Sequence, residues 1–187
     1  MINPAFTPDC FKIMTLFSVS PGSRHNRNEI KEKIGLNNVP LDNALFRLLN
    51  SSILKKEGNF YSVNFENEEG KKIIAMCSSQ YKEMREMPFN VYCLLMDLTD
   101  NLSRMKGIEV HLFGSFAKLI YNVDSDVDIA IVHSKNISKD PIDSFVSRLE
   151  VVYGKNIEMH YFGKKLFYNN KKDAIVKSIL KDGIRLL

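Results

Sequence analysis

The segment HLFGSFAKLIYNVDSDVDIAIV, residues 111–132, constrains this chain more than any other. An apolar strand runs into Gly114-Ser115, ten residues intervene, and Asp126-Val127-Asp128 opens a second apolar strand. Side chains alternate along a strand, so Asp126 and Asp128 are expected on one side while Val127, Ile129 and Ile131 face a core. Two neighbouring carboxylates repel unless a positive group neutralises them. A hard divalent cation such as Mg²⁺ does so through oxygen ligands and recruits phosphate oxygens as further ligands. Gly114 permits close backbone approach, and the Ser115 hydroxyl and nearby amides offer donors to a phosphate.

Competing motifs fail on spacing. The Asp124, Asp126, Asp128 run imitates the start of an EF-hand loop, but Ile129 stands where that loop needs glycine. No Rossmann fingerprint, P-loop or His-Glu-x-x-His occurs. A glycosyltransferase Asp-x-Asp would leave Gly114-Ser115 unexplained.

Hydrophobic-Gly-Ser, the ten-residue spacer and Asp-x-Asp resemble the signature of the polymerase-β-type nucleotidyltransferase superfamily, and among its members the minimal nucleotidyltransferases. The resemblance covers roughly Gly107 to Leu187. It implies a small mixed sheet flanked by helices, with Asp126 and Asp128 binding Mg²⁺ or Mn²⁺ and an NTP substrate, ATP first. Gly114, Ser115 and Lys118 would meet the phosphates. Glu158, in NIEMHYF, matches the family's third carboxylate as ligand or general base. Lys118 and Leu119 stand where the family often has Arg-Gly, so a phosphate would meet a point charge rather than a guanidinium fork. His160 shares the strand face of Glu158; its expected role is that of an ordinary half-buried histidine, with support of the metal ligands from behind as the alternative. Minimal nucleotidyltransferases often act as antitoxins on a helical ribonuclease toxin, which makes a protein acceptor one implied partner.

Upstream, residues 1–66 read as three short helices and a hairpin. Cys10, Ile13, Met14 and Phe17 recur at helical spacing before Pro21-Gly22. Asn28 is read as the cap of a second helix closed by Gly35, and Pro40 as opening a third with Leu41, Leu45, Leu48 and Leu49. ILKKEGNFYSVN gives two strands about Gly58-Asn59. This order resembles a winged helix-turn-helix, which implies DNA binding through Arg24, Arg27, Arg47, Lys55 and Lys56. The eight cations of residues 1–66 exceed its six acids by only two, a modest charge for a DNA reader.

Residues 67–105 read as a helical connector. Ile74, Cys77, Tyr81 and Met84 form one seam; Val91, Leu95, Leu98, Leu102 and Met105 form another beyond Met87-Pro88. Such seams pack within their own protein or form a homodimer. The expected architecture is α+β: winged helix-turn-helix (1–66), connector (67–105) and nucleotidyltransferase domain (106–187). An alternative expectation is a DNA-binding transcriptional regulator whose nucleotidyltransferase domain is inactive or senses a nucleotide.

Composition adds exclusions. No apolar run approaches the roughly 20 residues that span a bilayer, so no membrane partner is expected. The stretch MINPAFTPDCFK lacks a basic segment followed by an apolar core, so no secretory signal is expected. Three cysteines without Cys-x-x-Cys spacing argue against a disulfide framework or zinc knuckle, and the expected location is cytoplasmic.

Overall fold

The computed structural model describes residues 7–84, 87–134, 137–170 and 172–187. The stretch read above for a leader therefore lies in part outside the described residues. Contacts divide the chain into two compact units, Met1–Cys93 and Leu94–Leu187.

The first unit opens with α1 (Pro8–Val19), whose N-cap Thr7 accepts from the Cys10 amide. Its seam residues Cys10, Ile13, Met14 and Phe17 are fully buried. A two-residue strand β1 (His25–Asn26) leads directly into α2 (Arg27–Ile34). The cap of α2 is Asn26, two residues before the expected Asn28. Its side chain accepts from the Asn28 and Glu29 amides, while Glu29 reaches back to the Asn26 N–H in a reciprocal capping box. Gly35 closes α2 at φ 71°, the left-handed conformation glycine adopts at least cost.

Next come α3 (Asn38–Asn50), β2 (Leu54–Glu57) and β3 (Phe60–Val63), with Gly58 at φ 59° in the hairpin turn. The three strands form an antiparallel sheet in the order β1-β3-β2. The helix α4 (Glu68–Glu83) packs onto this unit, and its Ile74 and Cys77 join the same core as Ile13, Phe17, Leu41 and Leu48. Burial among these apolar groups pushes the Cys77 thiol up to about 11, which keeps it protonated and inert. After the break at Met87-Pro88, α5 (Phe89–Leu102) begins in the first unit and ends in the second. Val91, Leu95, Leu98 and Leu102 are buried, whereas Met105 lies beyond the helix and is only partly covered.

The second unit continues with β4 (Ile108–Phe113), α6 (Gly114–Lys118), β5 (Val127–His133), α7 (Asp140–Tyr153), β6 (Ile157–Gly163), α8 (Lys164–Asn169), α9 (Ala174–Asp182) and β7 (Ile184–Arg185). The sheet order is β6-β5-β4-β7; β5 and β6 are parallel, and β4 is antiparallel to both β5 and β7. The parallel pair requires the α7 crossover, which supplies Ile142, Val146 and Leu149 as its buried stripe. The central strand β5 is apolar on both faces from Ile129 to Val132, as a strand covered on both sides must be. Phe113, Ala130, Val132, Phe167, Val176 and Ile179 form the core on one face, beneath α8 and α9. No helix among the described residues is long and apolar enough to cross a membrane.

Candidate active site

The site is built where β4 ends and β5 begins. Phe113, the last residue of β4, pairs with Asp128, and Asp128 pairs on its other side with Glu158 of β6. Cross-strand partners share a face, so these pairings alone bring the two carboxylates together. His160 lies two residues beyond Glu158 on the same face. One ligand atom each from Asp128, Glu158 and His160 lies within 4.8 Å of the other two. His160 Nε2 is 3.0 Å from Glu158 Oε1.

Gly114 is part of the same construction. Its φ is 69°, and a Cβ placed there would overlap the Asp128 carboxylate, 2.6 Å from Cγ. Only glycine lets the chain turn from β4 into α6 this close to the acid. Directly after it, the Ser115 backbone N–H donates to the Asp128 carboxylate. Thus the glycine and serine of the sequence motif both meet one of its acids.

The ten-residue spacer is a short helix followed by a hydrogen-bonded turn. Leu119 ends α6 at φ 58°, and Phe116 stacks on Tyr121 with ring centroids 4.7 Å apart. The Asn122 side chain accepts from the Asp124 amide at 2.9 Å, and the Lys155 ammonium donates to the Val123 carbonyl. These contacts return the chain to β5. Because β5 starts at Val127, Asp126 stands one residue before the strand, exposed to solvent and outside the three-residue cluster. Asp126 is nevertheless near enough for its charge to act on Asp128.

Burial raises the Asp128 carboxyl above the ordinary carboxylate range, and the Glu158 charge adds to this. His160 opposes the rise, Asp126 adds a further push, and the Ser115 amide relieves it. The pattern is that of a half-buried acid crowded by like charges, in need of a cation. Two carboxylates and an imidazole at this separation have the donor chemistry and spacing to hold a divalent metal. Lys118 does not point at the cluster's acids; its ammonium is 3.6 Å from Asp182 of α9.

A nucleotidyltransferase domain model matches residues 95–186. That match spans the second unit and supports a general nucleotidyl-transfer activity for it. Searches of curated proteins and of solved structures found no match.

The residue that sequence reasoning set aside is His160. It is half-buried, with its ring held edge-on to Phe113 at 5.2 Å and stacked over Phe162 at 6.4 Å. The available signal was its two-residue offset from Glu158, which puts both on one face. In the first unit, the sequence-read cations are engaged locally. Arg24 pairs with Glu57 at 2.8 Å, Arg27 with Asp42 at 2.7 Å and Lys55 with Glu57 at 3.0 Å. Lys56 lies over the Tyr61 ring at 5.3 Å, and Arg47 is in the last turn of α3.

Proposed function

We propose that this chain transfers a nucleoside monophosphate from an NTP, ATP first, to a hydroxyl acceptor and releases pyrophosphate. The observation that carries the reading is the Asp128 carboxylate, seated between Gly114, the Ser115 amide and Glu158 within the segment that matches the nucleotidyltransferase domain. In the reaction the acceptor oxygen forms a bond to the α-phosphorus, and the bond from that phosphorus to the bridging oxygen breaks. The hydroxyl proton passes to a carboxylate, for which Glu158 is placed at the exposed edge of the cluster. Asp128 and Glu158, with Asp126, would hold Mg²⁺ or Mn²⁺. The bound cation neutralises the phosphates and favours the ionised acceptor hydroxyl. Gly114 and Ser115 offer backbone and hydroxyl contacts to the triphosphate, and Lys118 reaches it by exchanging Asp182 for a phosphate. Fixed charge and positioning supply most of the acceleration in such a site.

Residues 1–66 act in this reading as a winged helix-turn-helix, residues 67–105 as its connector and residues 106–187 as the catalytic unit. The carboxylates paired with Arg24, Arg27 and Lys55 neutralise charge that a phosphate backbone would need, which favours a protein partner over DNA for the first unit. The engagement of Lys118 by Asp182 favours a second reading, in which the second unit senses a nucleotide without turnover. Incubation with Mg²⁺ or Mn²⁺ and α-labelled ATP, with candidate acceptors including the chain itself, tests the proposal. Label transfer that disappears in Asp128→Asn supports it. Nucleotide binding without transfer supports the sensor, and neither binding nor transfer defeats both.

A further inference from the structure

We infer that His160 is a direct metal ligand, making this a mixed nitrogen–oxygen site that prefers Mn²⁺ to Mg²⁺. The inference rests on the nucleotidyl-transfer reading of the same site and adds the identity of its ion.

Three observations carry it. First, the converging donor atoms are those of Asp128, Glu158 and His160. Second, the spacing suits shared coordination. Adjacent ligands of an octahedral ion with bonds of 2.0–2.1 Å stand about 3 Å apart, and opposite ones about 4.2 Å. The separation of His160 Nε2 from Glu158 Oε1 is 3.0 Å, that of adjacent ligands, and Asp128 lies close by. Third, the imidazole is pre-positioned. Phe113 meets it edge-on and Phe162 stacks on it, so little side-chain freedom is lost on binding.

The chemistry then sets the preference. Mg²⁺ takes oxygen donors and surrenders water reluctantly, so an imidazole gains it little. Imidazole suits Fe, Ni, Cu and Zn best, but Mn²⁺, the first-row ion most at home with carboxylates, still takes a nitrogen donor more readily than Mg²⁺ does. Without a metal, Nε2 and Oε1 already stand 3.0 Å apart; with one, the same two atoms turn their lone pairs to the ion.

The test uses the full chain and Mn²⁺ itself. Binding is followed by the loss of the free-ion electron paramagnetic resonance signal, Mg²⁺ affinity by competition, and nitrogen ligation by hyperfine coupling to bound Mn²⁺. The His160→Phe variant keeps an aromatic ring between Phe113 and Phe162, and His160→Gln serves if that variant misfolds. The expected result is a nitrogen coupling in the parent that the variant lacks, with Mn²⁺ affinity falling about tenfold or more and Mg²⁺ affinity much less. Mn²⁺ binding that needs Asp128 but shows no nitrogen coupling, with an unchanged Mn²⁺/Mg²⁺ ratio in the variant, overturns the inference and leaves nucleotidyl transfer standing. Absence of any Asp128-dependent ion binding, with or without a non-hydrolysable ATP analogue, overturns both.

Discussion

Gly114→Ala isolates the contact that seats Asp128. Two costs are superposed in it. The first is conformational: φ at Gly114 is 69°, and an L-residue there loses about 1–2 kcal/mol, offset by roughly 0.4–1 kcal/mol because alanine has less unfolded-state entropy to surrender. The second is steric, because the new methyl occupies space held by the Asp128 carboxylate, 2.6 Å from its Cγ. Moving that carboxylate costs on the order of 0.5–1.5 kcal/mol in rotamer strain, and about 1 kcal/mol for the weakened bond from the Ser115 amide. Gly154 is an internal control: its φ is 61°, and a Cβ there meets nothing within 4 Å. The expectation is about 1 kcal/mol for Gly154→Ala and about 3 kcal/mol for Gly114→Ala.

Urea unfolding of the two variants reads this difference. A double-mutant cycle then assigns it: in an Asp128→Ala background the Gly114→Ala cost falls to that of Gly154→Ala, giving a coupling of about 2 kcal/mol. Equal costs for the two glycines, or a coupling below about 0.5 kcal/mol, would refute the claim that glycine is required by the acid.

Three further outcomes follow from the same geometry. Because the folded protein raises Asp128, its contribution to stability is present below the ordinary carboxylate range and lost as pH rises through the raised value. Metal-free Asp128→Asn is therefore more stable than the parent near neutral pH, and it loses the gain in melting temperature that Mn²⁺ gives the parent. Glu109 shifts the other way, held down first by Lys164 and then by the Tyr168 hydroxyl. Its stabilisation is present above the ordinary range and lost as pH falls through the lowered value, so Glu109→Gln flattens the acid limb of the stability curve. Leu119, at φ 58° and half exposed, carries left-handed strain; Leu119→Gly is neutral or stabilising by up to about 1 kcal/mol in thermal unfolding, and a clear loss would contradict this.

Much of the second unit was legible because its signals are local. IEVHLF is β4 from end to end, Ile142, Val146 and Leu149 recur at helical spacing within α7, and Gly183 follows α9. The first unit was legible where hydrophobic spacing is strong, as in α1 and α3. The strand β1 was not, because two residues carry no alternation; His25 and Asn26 become a strand only by pairing with Tyr61 and Phe60. The Asn26 cap was available in the sequence: Glu29 stands three residues after it, the spacing of a capping box, whereas Asn28 has no such partner. Asp126 lies just outside the strand on which the expectation of a shared face rested. Pleat alternation holds within a strand, and the strand begins only at Val127.

The pairing of Asp128 with Glu158 lies beyond local signals altogether, since thirty residues of chain separate them. It depends on α7, whose apolar stripe lays β6 against β5 in parallel and in register from Val127–Ile157 to His133–Gly163. A slip of one residue would turn Glu158 and His160 to the opposite face and dissolve the site. The register is fixed by burial rather than by the acids: Ile129 and Ile131 need one covered face, Ala130 and Val132 the other, and Ile157 is buried where β6 begins. The polar cluster is thus positioned by apolar neighbours that take no part in its chemistry. A half-buried acid and an exposed one that repel each other can persist there because the sheet, not their own attraction, holds them together.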